Sequence, residues 1–156
     1  MCTTGTSGTM VLVDTSPTFG PGYQFKAREA RDHFRELLDI AEGGGVAVLR
    51  RKAPLALVRR ELLDQALAAQ HPFDVKVSFD GGQTSMWIDG VPVHGVGDSY
   101  DEAEEDFLDA LADYAEAWVE RLRFAPNHAA NAGLVARVLL YAGDTDELRR
   151  AVFGER

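Results

Sequence analysis

The sequence predicts an α+β fold made of two small modules, a strand–helix–hairpin–helix unit followed by a β-meander, one long helix and C-terminal helices. Three observations predict it. Apolar residues recur at helical spacing in some segments and alternate with period two in others. His71-Pro72 interrupts the pattern, because proline disfavours helix in the residue before it. Charge also changes there: residues 1–70 carry nine Lys/Arg against eight Asp/Glu, whereas the remainder carries seven against seventeen.

Residues 1–22 are rich in Thr, Ser, Gly and Pro, with one short apolar run, Met10-Val11-Leu12-Val13, and read as a flexible tail with room for one short strand. Tyr23-Gln24-Phe25-Lys26 alternates like a strand. Ala30, Phe34, Leu37, Leu38 and Ala41 then recur at three- and four-residue steps up to Gly43-Gly44-Gly45, which predicts one helix of about fifteen residues. Val46 to Leu49 and Leu55 to Val58 flank Arg50-Arg51-Lys52-Ala53-Pro54 as the arms of a hairpin. Glu61 to Gln70 reads as a shorter helix closing a first module at 23–70.

A second module spans 71–125. Phe73 to Phe79 alternates, Asp80-Gly81-Gly82 supplies a turn, and Thr84 to Val93 continues an antiparallel meander. Ser99-Tyr100-Asp101-Glu102 fits a capping box, in which Ser99 accepts from the amide three residues on and Glu102 reaches back to the cap. The helix it opens carries Ala103, Phe107, Ala110, Leu111, Tyr114, Trp118 and Leu122 on one stripe, leaving the acids mostly opposite, and Pro126 ends it. In 126–156, Asn127 and Asn131 are candidate caps for a helix bearing Leu134, Val135, Val138, Leu139 and Tyr141. Asp144-Thr145-Asp146-Glu147 caps a last helix with Leu148, Val152 and Phe153.

Composition narrows the function. The formal net charge is −9, against non-specific nucleic-acid binding by the chain as a whole. A single cysteine, Cys2, permits no intrachain disulfide, which points to a reducing, cytoplasmic setting. No apolar run approaches a membrane span, and the first Lys or Arg is Lys26, so the basic start of a signal peptide is missing. His33, His71, His94 and His128 lack the paired spacing of a zinc site, and neither glycine cluster has the lysine or the strand-then-helix context of a phosphate loop. The reading is of a protein without a metal, without a cofactor and without a convergent catalytic set, hence not an enzyme.

Two charged groups remain as candidates. Lys26, Arg28, Arg31 and Arg35 gather at the expected start of the first helix, where cations oppose the macrodipole at a cost of a few tenths of a kcal/mol each; phosphates would offset it. Between Asp98 and Glu120 stand ten acids and no Lys or Arg, readable as a solvated face or as a face that docks a basic partner.

The segment 23–60 resembles the Phd/YefM antitoxin module, carried by Glu29-Ala30-Arg31, Phe34, Leu37-Leu38, Glu42-Gly43, Arg50-Arg51 and Pro54. Lys52 stands where that family has its hairpin glycine. Residues 73–120 resemble the HicB antitoxin core, through the DGG turn and Gly97-Asp98-Ser99-Tyr100-Asp101-Glu102-Ala103. The first resemblance implies a homodimer that binds its own operator DNA, with Arg31, Arg50 and Arg51 as DNA contacts; Lys26, Arg28 and Arg35 join them by proximity. The two together imply a type II antitoxin that neutralises a cognate toxin by direct binding and represses its own operon. Asp98, Asp101, Glu102, Glu105, Asp109, Asp113, Glu116 and Glu120 are then the expected toxin contacts. If the toxin is a ribonuclease or a nucleotide-directed enzyme, its basic site would attract them. The alternative is a dimeric protein-interaction adaptor without DNA binding.

Overall fold

The computed structural model describes residues 24–155, so the tail at 1–22, its strand at Met10–Val13, Tyr23 and Cys2 lie outside the described residues. The architecture is α+β, with two three-stranded sheets and five α-helices among those residues. The chain divides into two units between Val58 and Arg59.

In the first unit, β1 (Gln24–Lys26) pairs in parallel with β2 (Ala47–Arg50), and β2 pairs antiparallel with β3 (Leu55–Leu57). The crossover between the parallel strands carries α1 (Phe34–Glu42). Phe25, Ala30, Leu37 and Ala47 are buried together, with Ile40, Leu49 and Leu57 against them. The period-two rule sets the faces: Phe25, Ala47, Leu49 and Leu57 point inward, leaving Gln24, Lys26, Val48 and Arg50 on the other face.

The first helix is shorter than its apolar spacing predicts. Residues 27–33 form turns, in which the Lys26 carbonyl accepts from the amides of both Glu29 and Ala30, tucking Ala30 into the core. Lys26 and Ala27, where the longer helix would start, are not capping residues, and at Phe34 the N-cap is His33, without a side-chain bond to the backbone. Gly43 and Gly44 end α1 as expected, Gly44 at a φ of 86° that favours glycine.

The second unit opens with α2 (Arg60–Ala68), the helix that the sequence reading attached to the first module. Its partners are in the second unit. Arg137 on α4 (Ala132–Leu139) donates from Nε to Asp64 Oδ1 at 2.7 Å and from Nη1 to the His71 carbonyl at 2.9 Å, and lies over the Phe73 ring. Arg60 bonds Glu147 on α5 (Thr145–Phe153). Gly133 makes room for the His71 ring, which a Cβ there would meet at 2.1 Å.

β4 (Val75–Asp80), β5 (Gln83–Ile88) and β6 (His94–Gly97) form an antiparallel meander in that order, as expected except that its last strand lies beyond the Thr84–Val93 range. Gly81 and Gly82, at φ of 58° and 84°, make the two-residue β4–β5 turn in the manner of a type I′ hairpin. Across the sheet lies α3 (Tyr100–Glu120). It packs on β6 at backbone distance, because Gly95 and Gly97 face it. A Cβ on Gly95 would fall 2.4 Å from the Ala103 carbonyl oxygen, and one on Gly97 2.4 Å from the Ala103 nitrogen. Met86, Phe107, Leu108 and Leu111 fill the layer beneath, and Leu134, Val135, Val138, Leu148 and Val152 extend it to α4 and α5.

Of the expected caps, Ser99 and Asp144 form and the asparagine cap of α4 does not. Ser99 accepts from the Glu102 amide as expected, but the Glu102 carboxylate accepts from Asp98 N rather than from the cap amide. α3 stops at Glu120, and 3₁₀ turns at Leu122–Phe124 and Pro126–Asn131 follow. Asn131 precedes α4 but gives its side-chain amide to the Tyr114 hydroxyl instead of capping, and Asn127 lies within the second 3₁₀ stretch. Asp144 caps α5 through the Glu147 amide.

Candidate functional site

In the first unit the strands themselves gather positive charge. Lys26 and Arg50 are register partners at the ends of β1 and β2, on the sheet face that α1 leaves open, and Arg51 follows directly. Like charges on neighbouring strands disfavour the sheet. Arg50 and Arg51 line a shallow concavity of about 370 Å³ with Gln24, Val48 and Pro54. All of Lys26, Arg28, Arg31, Arg35, Arg50 and Arg51 are exposed. The structure brings Lys26, Arg50 and Arg51 together. Arg28 and Arg31 belong to the turns that leave β1, and Arg35 to the first turn of α1. Glu29 moderates the group, its carboxylate accepting from the Lys26 amide and lying 3.9 Å from Nζ. Beside it, the Glu36 carboxylate at 3.0 Å hydrogen-bonds the His33 ring and holds its pKa above the ordinary histidine value.

In the second unit, Glu102, Glu105, Asp109, Asp113, Glu116 and Glu120 follow one another along α3 at three- and four-residue steps, so they share one exposed side of the helix. Asp101 is exposed on the first turn, and Asp98 just before the cap. Each like-charged pair at such spacing costs about 0.2–0.5 kcal/mol. Asp101 and Glu102 are favoured at the positive end of the helix, but Glu116 and Glu120 stand near the negative end, where the last turn has no basic residue. The face is therefore charged at some expense to the helix.

Three acids have structural tasks. The Glu102 carboxylate accepts from the Asp98 amide just before the N-cap, and Asp106 accepts from the Val96 amide of β6 at 2.9 Å. Glu104 departs from the expectation that the acids lie mostly opposite the apolar stripe: it is buried and pairs with Arg149 at 3.0 Å. Asp101, Glu105, Asp146, Arg150 and Phe153 join that pair around a concavity of about 580 Å³. Sequence reading missed the basic side of this concavity, since nothing local to Arg149 or Arg150 points to α3. Among the described residues no group of three His, Cys, Asp or Glu side chains is arranged to hold a metal ion, and no helix is long and apolar enough to cross a membrane.

A family model, PHD-like, described as the antitoxin of a toxin–antitoxin, RelE/RelB, system, matches residues 23–152 and so spans both units. The chain belongs to this family. The antitoxin also shares its fold with a crystal structure from Syntrophomonas wolfei subsp. wolfei, described as an antitoxin part of a proposed toxin/antitoxin system. The TM-score is 0.62 at 21% identity, over 85% of this chain and 97% of that one. No curated protein matches the antitoxin.

Proposed function

We propose that this antitoxin neutralises a cognate toxin by direct binding and represses its own operon as a non-enzymatic, dimeric DNA-binding protein. The observation that carries the DNA reading is the placement of Lys26 beside Arg50, with Arg51 next to it, on the sheet face opposite α1. The mutual repulsion of these cations is relieved when phosphates lie between them. Arg28, Arg31 and Arg35 extend the same positive surface along the crossover.

Self-association of the first unit is supported by two exposed apolar side chains, Phe34 at 59% and Leu55 at 50%, which a second copy would cover. The acidic side of α3 is the proposed toxin surface, with the neighbouring concavity accommodating basic side chains beside Asp101 and Glu105.

Fluorescence anisotropy with a duplex from upstream of the antitoxin's own gene tests the DNA reading. Arg50→Ala and Arg51→Ala should each weaken binding and lower the slope of log affinity against log salt by about one per lost phosphate contact. A wild-type chain that leaves this duplex unbound would remove operator binding and favour a plain protein-interaction adaptor.

A further inference from the structure

β4 is an edge strand whose inward side nothing described in its unit covers. Val77 and Phe79 are register partners of Met86 and Thr84, so they point to the helix side of the sheet. Their partners are buried at 0% and 4% exposure, whereas Val77 is 37% and Phe79 70% exposed. The backbone is equally open. The two-residue turn makes Asp80 and Gln83 the hydrogen-bonded closing pair, so by alternation Ser78–Ser85 and Lys76–Trp87 also bond, and the peptide groups of Val75, Val77 and Phe79 point away from β5.

An open strand pairs with any strand unless its side chains select a register. Here they select a second copy of β4. Antiparallel pairing about a two-fold axis at Ser78 sets Val77 opposite Phe79 of the other copy and Lys76 opposite Asp80 of the other copy. Each pairing occurs twice, and each keeps both residues on one face. It also opposes the outward peptide groups of Val77 and Phe79, so the ladder closes. Moving the axis to Val77 sets Asp74 against Asp80, and moving it to Lys76 sets lysine against lysine. Moving it to Phe79 leaves Lys76 beyond the strand, opposite Gly82. Only the Ser78 axis satisfies charge, apolar contact and hydrogen bonding together.

We infer that β4 is a self-association edge, joining two copies of the second unit into a continuous six-stranded sheet with the helices on one face. This surface is distinct from the one proposed for the first unit, so a chain using both assembles beyond a dimer. Lys76 bonds Asp74 at 2.7 Å within its own chain, and on pairing it would lie between that carboxylate and Asp80 of the other copy.

Site-specific oxidation tests the register in the full chain, with Cys2→Ser removing the native thiol. Ser78→Cys lies on the two-fold, where opposed Cβ atoms fall within disulfide reach, and should convert mostly to a species of twice the chain mass on a non-reducing denaturing gel. Gln83→Cys is exposed on the adjacent strand, more than about 10 Å from its copy, and should stay at one chain mass. Added to Ser78→Cys, Lys76→Asp or Asp80→Lys alone should slow the cross-link, and the two together should restore it. Equal cross-linking of Ser78→Cys and Gln83→Cys would overturn the proposal, and Val77→Lys with Phe79→Lys then asks whether the toxin occupies the edge instead. Slowing by the single changes without rescue by the pair would overturn the register.

Discussion

Arg137 is 4% exposed, and its guanidinium finds partners nearby: Asp64 on α2, the His71 carbonyl and the Phe73 ring. A buried ion pair adds little net stability compared with an apolar replacement of both partners, but removing one partner strands the other. Arg137→Met should therefore destabilise the second unit by about 3 kcal/mol, and Asp64→Asn added to it should cost less than the sum of the two single changes. Both tryptophans, Trp87 and Trp118, lie in the second unit, so their fluorescence in a urea titration reads this unit alone. The same cluster pushes the Tyr141 phenol above its ordinary value, through burial and a hydrogen bond to Asp64. It also ties α2 to the second unit, through a contact that sequence reading had no local signal for. The apolar period of Glu61–Gln70 is visible, but the residue that decides its unit is 73 positions away.

At the scale of elements, legibility follows how local the cause is. The β4–β5 turn was legible because paired glycines at positive φ, flanked by alternating residues, leave few other structures. α3 was legible from Ser99 and a continuous apolar stripe. The start of α1 was not, because the apolar period runs back through Ala30 while the Lys26 carbonyl and an absent cap fold those residues into turns. The two exposed charge clusters were legible as residues, but the pairing of Lys26 with Arg50 needs the parallel register that the crossover creates. Gly95 and Gly97 carried no legible signal as packing residues, since their role exists only against α3. Gly95→Ala places a methyl into the Ala103 carbonyl and Phe107 Cβ, both fixed by the helix. The expected loss is about 2 kcal/mol or more in the same tryptophan-monitored titration, and an unchanged midpoint would contradict the close packing.

Over the whole molecule, the charge division has a consequence for function. Residues 1–58 carry a net charge of +1 and residues 59–156 carry −10, so the two units differ in the sign of their charge. The proposed function gives each unit one occupant, operator DNA for the first and a toxin for the second. The acidic side of α3 opposes its own helix dipole near Glu116 and Glu120, which is intelligible if a basic partner covers it. The most direct measurement is calorimetric titration of the neighbouring gene's toxin with wild-type antitoxin and with the Glu105→Lys, Asp109→Lys, Glu116→Lys triple variant, at low and high salt. The account predicts an affinity lower by about tenfold or more for the variant, with the difference shrinking as salt rises; equal affinities at both salt concentrations would contradict it.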